Sequence, residues 1–267
     1  MHQTITVGIA FHSATIASQF CEAIDSILNQ TLLPSELHLI QDGPVQDELI
    51  EIVNNYIKSA SFIKHIPLSQ NLGLSHAINI SILNTTSKYY ARMDSDDISM
   101  PDRLQKQVFF LEENQDIDIV GGWAKEFETS SNLEGGFIRK VPCLRTDMEK
   151  LLHYRNPLIH PTVVFRRSVF AKIGLYDVMF RMEEDLELWT RAFKAQVGIT
   201  NLPEILLYYR FTNSVTRRSA AVRYQIRARY KYNTYSLKLN LLKFMSISLR
   251  FLPGRVQIWA YKNLRSK

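Results

Sequence analysis

Apolar residues fall along this chain in short blocks whose spacing alternates between the periods of strand and helix. Residues 4–11 (TITVGIAF) are β-branched and apolar almost throughout, the pattern of a strand buried in a sheet. Over residues 18–29, Phe20, Cys21, Ile24, Ile27 and Leu28 recur at helical spacing. A second strand is predicted at 37–40, running into the turn Gln41-Asp42-Gly43-Pro44, then a helix over 48–58 and a short strand over 62–67. Asn71-Leu72-Gly73 turns the chain into a helix over 75–83, and residues 88–93 (KYYARM) form a fourth strand ending on Asp94-Ser95-Asp96-Asp97. A helix with Pro101 in its first turn runs to about residue 114. Strands and helices alternating in this way predict βαβ units and a mainly parallel sheet flanked by helices.

After residue 115 the alternation loosens. A strand is predicted at 117–123, a hairpin or loop over the polar, glycine-bearing 127–142, a helix at 147–153 and a strand at 162–165. Residues 183–194 read as a helix with Leu186, Trp189, Thr190 and Phe193 along one face, Trp189 packing inward. No internal repeat or linker is present, and a soft boundary falls at 210–219.

At 267 residues, 46% apolar and 11% aromatic, the chain is an ordinary globular protein, which excludes disordered and collagen-like classes. Two cysteines, Cys21 and Cys143, exclude a disulfide framework and suit a reducing compartment. A secretory signal is not expected, nor is a spanning helix, so a soluble or peripheral cytoplasmic protein is the expectation. Charge changes that picture. Residues 1–204 hold 18 of the 32 basic residues and all 26 acidic ones, a net of −8, whereas 205–267 hold 14 basic residues and no acid. So one-signed a segment meets an anionic partner. Its Leu, Phe, Ile and Trp259 interleaved with lysine and arginine suit a helix in an anionic membrane interface; the alternative is a helical pair packed on the domain. Nucleic acid is not expected, because no recognition motif accompanies the charge.

In open α/β sheets ligands bind beyond the carboxyl ends of the strands, where Asp94-Ser95-Asp96-Asp97 is predicted to lie. Strand alternation puts Asp94 and Asp96 on one side. Two carboxylates so close repel unless a cation or donors hold them, and an all-oxygen set suits Mg²⁺ or Mn²⁺. The alternative is a solvated capping loop, with Ser99 and Asp102 in capping-box spacing.

IDSILNQTLLPSELHLIQDGP, NLGLSHAIN, ARMDSDDISMPDRLQKQ, IHPTVVFRRSVF and EEDLELWTRA occur in the order seen in family 2 glycosyltransferases. Over about residues 4–212 the chain resembles that family, and more narrowly its bacterial exopolysaccharide and O-antigen branch. The resemblance implies a GT-A fold at 1–212 with a basic helical extension at 213–267. It also implies a nucleotide-sugar donor, a divalent cation, Mn²⁺ or Mg²⁺, and transfer with inversion to a saccharide or polyprenyl-linked acceptor. Residue by residue, it places Asp42 at the donor base, commonly uracil, and Asn71 and Gly73 in the turn beside the donor pocket. Ala10-Phe11-His12-Ser13 replaces the family's usual Pro-x-Tyr-Asn, with Phe11 placed to stack on a base. Arg92 falls near the diphosphate or neutralises the three aspartates, Asp94 lies near ribose or metal, Asp96 is the principal metal ligand and Asp97 is further out. In Glu183-Glu184-Asp185 it makes Asp185 the general base, with Glu184 and His160 toward the acceptor; without it, three acids opening a helix need no ligand. Arg217 and Arg218 begin the basic tail and could meet phosphate. Two rivals differ in class. A sugar-nucleotidyltransferase would carry a Gly-rich basic loop after the first strand, which is absent from 8–17. A non-catalytic membrane- or polyanion-binding protein with a degenerate core would explain the altered first loop.

Overall fold

The computed structural model describes residues 4–128, 133, 136–211 and 220–264. The predicted boundary at 212/213, and Arg217 and Arg218, lie outside the described residues.

The first half is a run of βαβ units: β1 (Ile5–Phe11), α1 (Ala17–Leu28), β2 (Glu36–Gln41), α2 (Asp47–Ser59), β3 (Ile63–Pro67), α3 (Leu74–Leu83) and β4 (Tyr89–Asp94). Then come β5 (Ile98–Ser99), α4 (Arg103–Glu113), β6 (Ile119–Phe127), β7 (Ile138–Arg139), α5 (Arg145–Leu152), β8 (Val164–Arg166) and α6 (Val169–Ile173). The chain continues with α7 (Glu184–Lys194), β9 (Ile199–Arg210), α8 (Val222–Tyr230), α9 (Leu237–Ser248) and α10 (Gly254–Leu264). One sheet runs in the order β3-β2-β1-β4-β8-β6-β9-β5, with β7 hairpinned onto β6. Strands β1 to β4 are mutually parallel, β6 and β9 run with them, and β5, β7 and β8 oppose them.

Strand alternation divides the core in two. Ile5, Val7, Ile9, Tyr89, Ala91 and Met93 face one layer against α1, α2 and α4, while Tyr90, Ile119 and Phe165 face the other against α3, α5, α6 and α7. Trp189 is fully buried in that second layer, stacked on Phe165 at 5.9 Å, as its inward spacing predicted. Tyr224 and Ala228 of α8 join the same cluster, so the basic extension begins packed on the domain.

Strand β9, inside the short edge strand β5, is not legible as a strand in the sequence. Pro203 interrupts its pattern, and the register to β6 slips from Gly122↔Leu202 to Trp123↔Ile205 and then Ala124↔Leu207. These bulges leave the proline outside the ladder. The predicted Ser99–Asp102 capping box does not form, because Ser99 lies in β5 and Asp102 makes no side-chain cap bond to α4.

Candidate active site

The parallel strands deliver their carboxyl ends to one edge. There Ala10 is in register with Asp94 across β1 and β4, and Phe11 with Gln41 across β1 and β2. The strand order reverses at β1, so a crevice opens at this edge.

Asp42 leaves β2 and turns its carboxylate onto the next turn. Its Oδ1 accepts the Leu72 N–H at 2.8 Å, and its Oδ2 accepts the Gly73 N–H at 3.0 Å. Asn71 Nδ2 donates back to the Asp42 carbonyl at 3.2 Å, so Asp42, Asn71 and Gly73 form one unit at the start of α3. Two glycines are required here: Gly43 at φ +85°, where a Cβ would lie 2.5 Å from the Asn71 nitrogen, and Gly73 at φ +94°.

Phe11 requires a correction. Its ring is fully buried, stacked on Phe20 at 4.7 Å and against His65 at 6.2 Å, so it presents no face for a base. The following loop is closed on itself by His12 and Thr15, leaving Ala10 half-buried beside Asp94.

At the end of β4 the strand stops at Asp94 and the backbone turns, so the predicted alternation through Asp96 does not continue. The turn itself gathers Asp94, Asp96 and Asp97, with carboxylate oxygens all within 4.8 Å of one another. Burial, then the Asp94 charge, pushes the Asp96 carboxyl up to about 6. Asp97 is not peripheral: it is buried, accepting the Arg210 backbone N–H at 2.8 Å. Burial raises its carboxyl well above the ordinary range, with Asp94 and Asp96 adding to the effect. Arg210 also donates from Nε to the Asp96 carbonyl at 2.7 Å and from Nη2 to Glu22 at 2.5 Å. Arg103, fully buried, holds the Arg92 carbonyl at 2.9 Å and is pulled down to about 9, first by burial and then by Arg92. Arg103, opening a helix beside the acidic turn, carries a weak signal in the sequence; Arg210 carries none, because it ends a strand that the sequence does not reveal.

Arg92 links this cluster to the second. It is buried, it donates through Nη2 to Asp94, and its Nε and Nη1 lack a hydrogen-bond partner. Its charge also acts on Glu184 and Asp185, which open α7. Glu184 is pushed up to about 7 by burial and then by Asp185. Burial raises Asp185 too, opposed by the Leu186 N–H at 2.7 Å, by Arg92 and by Asn156 Nδ2 on its other oxygen. Glu183, just ahead, sits in the left-handed region at φ 58°, the strained backbone that aims α7.

His160 lies behind these acids as part of the wall. Its Nε2 pairs with the Tyr176 hydroxyl at 2.8 Å and its Nδ1 is 3.9 Å from Glu184. Burial, with Arg92 adding, holds it neutral well below its ordinary range. Asn79 of α3 grips the Tyr176 backbone from both sides, at 2.8 and 2.9 Å, and Ser75 holds the Phe180 carbonyl at 2.9 Å. Thus α3, opened by the Asp42 turn, also fixes the segment leading into α7. Neither Asn79, Tyr176 nor Asn156 was singled out by sequence, since isolated polar residues in a helix or loop carry no spacing signal.

Comparison with known proteins decides what this edge belongs to. Residues 6–174 match the family model described as "Glycosyl transferase family 2". The chain belongs to that family. Among its relatives, an Escherichia coli O-antigen biosynthesis glycosyltransferase, WbnJ, is 33% identical over 238 residues, covering 88% of this chain and 91% of the relative. The Escherichia coli UDP-Gal:alpha-D-GlcNAc-diphosphoundecaprenol beta-1,3-galactosyltransferase is 29% identical over 250 residues, covering 91% and 90%. A mannosyltransferase from Pyrobaculum calidifontis in complex with GDP-Man and Mn²⁺ shares the fold at TM-score 0.65 and 12% identity, covering 98% of this chain and 80% of that one. S. aureus TarS 1–349 with UDP does so at TM-score 0.61 and 16% identity, covering 93% and 70%; of a longer TarS structure the chain spans 43%. The family's GT-A fold is the fold of this chain.

Proposed function

We propose that this chain is an inverting hexosyltransferase of surface polysaccharide biosynthesis, moving a sugar from a UDP-sugar to a saccharide carried on a polyprenyl lipid. The observation that carries the reading is that two carboxylate sets, Asp94/Asp96 and Glu184/Asp185, share one strand-end edge with Arg92 between them. Names of relatives support the substrates: one transfers galactose from UDP-Gal to a diphosphoundecaprenol-linked sugar, and TarS 1–349 was solved with UDP.

The donor set suits a hard divalent cation. Asp94 and Asp96 offer only oxygen ligands, and burial, then the Asp94 charge, raises the Asp96 carboxyl, an environment that a divalent cation would relieve. Asp94 and Asp96 would hold Mn²⁺ or Mg²⁺, with Asp97 and Arg210 fixing the turn from inside. A bound cation supplies positive charge to the departing nucleoside diphosphate.

Arg92 lies buried beneath this edge, bound to Asp94 and with two unmet N–H groups, so its charge acts on the diphosphate side of the site from behind the carboxylates. Asp42 braces the base-side turn and keeps lone pairs to spare for an imide N–H. Asp185, oriented by Leu186 and Asn156, removes the acceptor hydroxyl's proton as that oxygen bonds to the anomeric carbon. The bond to the diphosphate breaks, and its electron pair leaves with the nucleotide. Its raised carboxyl makes Asp185 a better base than an exposed aspartate. Among the described residues no helix is long and apolar enough to cross a membrane, and we place the enzyme on the cytoplasmic membrane face, where nucleotide-sugar and lipid-borne acceptor meet.

The test is Asp185→Asn, assayed by release of nucleoside diphosphate and by calorimetric donor binding. The expected result is a loss of turnover of about 10²–10⁴-fold with donor affinity preserved. Full turnover in the variant overturns the assignment of the base.

A further inference from the structure

Helix α9 is built inside out. Along α9 the buried positions are Lys243 and Ile247, with the Lys243 Nζ donating to the carbonyls of Arg229 at 3.1 Å and Tyr232 at 2.8 Å. The outward positions are Leu237, Leu241, Phe244 and Met245, at spacing i, i+4, i+7 and i+8, and all four are exposed, Phe244 by 62%. A helix on a water-facing surface carries the reverse pattern. The outward apolar set continues through Phe251 and Leu252 in the connecting turn to Val256 and Trp259 of α10. Exposed Lys238 and Arg255 flank it, in a segment that has no acidic residue after Glu204.

We propose that this face, α9 with the α9–α10 turn and α10, is the surface by which the protein docks on an anionic lipid bilayer. Leucine, phenylalanine and tryptophan side chains enter the acyl boundary, and lysine and arginine meet the headgroups. Charge decides the occupant. A second copy seated on the same face would set Lys238 and Arg255 of both copies together with no acid of the segment to offset them. A bilayer with anionic lipid complements both properties.

The docking face is tied to the site. Lys231, just after α8, donates to Glu187 of α7 at 2.8 Å, and Arg250 in the α9–α10 connection lies 3.8 Å from Glu183, the residue that opens α7. Docking therefore holds the end of α7 that carries Glu184 and Asp185 near the bilayer, where a lipid-borne acceptor would sit. That benefit rests on the proposed acceptor; the binding itself stands on the exposed face alone.

The test uses the full chain and vesicles of phosphatidylcholine, with and without about half phosphatidylglycerol. Cosedimentation is expected with the anionic vesicles, weaker by about tenfold or more with neutral ones, and reversed by salt. Leu241→Ser/Phe244→Ser/Met245→Ser removes only exposed side chains, so it is expected to keep the wild-type melting curve while losing the vesicles. Trp189 is buried and Trp123 hydrogen-bonded, so a lipid-induced blue shift of tryptophan emission is expected to vanish in Trp259→Phe. Asp185→Asn is expected to bind vesicles like the wild type, which separates this proposal from the transferase reading. Vesicle binding unchanged in the triple variant overturns the proposal, as does equal binding to neutral vesicles. So does a dimer that the triple variant converts to monomer, which would give the face to a second copy.

Discussion

Glu184→Gln is expected to stabilise this protein above neutral pH and to leave it unchanged in acid. The carboxyl opens α7 with its side chain 12% exposed, 3.9 Å from a neutral His160, and burial and then the Asp185 charge push it up to about 7. Unfolded, it would return to an ordinary value of ~4.3. An acid raised in the native state keeps a proton that the unfolded chain has already released. Stability is therefore complete below ~4.3, declines as pH rises through the window, and carries the full cost above 7. At ~1.4 kcal/mol per pH unit, that separation of about 2.7 units costs roughly 3.5–4 kcal/mol, which screening at so little exposure discounts toward ~3. Glutamine keeps the shape and the neutral state. Urea unfolding at about pH 8.5 is expected to favour the variant by ~2–3 kcal/mol, and at about pH 4.5 the two curves should coincide. A variant no more stable than the wild type at the higher pH would mean that Glu184 is ionised at no cost in the fold, compensated by Arg92.

Other perturbations test the scaffold of the site. Arg210→Met removes the side-chain grip on the Asp96 carbonyl and Glu22, and is expected to weaken Mn²⁺-dependent nucleotide binding by about 10–100-fold, read by calorimetry. Gly73→Ala meets open space but a positive φ, and is expected to cost ~1–2 kcal/mol in urea unfolding. Gly43→Ala adds a contact of 2.5 Å with the Asn71 nitrogen and is expected to cost more; equal costs would show that the Asp42 turn can relax.

What could be read from sequence followed period and position. Strands β1 to β4 announce themselves because each is a short apolar run bounded by turn residues, and their carboxyl-end acids inherit a place from the topology. Strand β9 does not, because Pro203 and two register slips break its pattern. Asp97 turns inward for a reason absent from its own neighbourhood: the backbone N–H that receives it belongs to Arg210, 113 positions away. Phe11 was misplaced for the same reason, since Phe20 and His65 claim its ring from two other elements. The basic tail showed its composition but not its orientation. Only the fold shows that Lys243 points in while Phe244 and Met245 point out.

The proposed chemistry stands on a cation-dependent nucleotide site at Asp94 and Asp96. Calorimetric titration of the purified chain with UDP, GDP, dTDP and CDP, each with and without Mn²⁺, tests it most directly. UDP is expected to bind, only with Mn²⁺ present, and its binding is expected to disappear in Asp96→Ala. Folded protein that binds none of the four in either condition would contradict the proposed site.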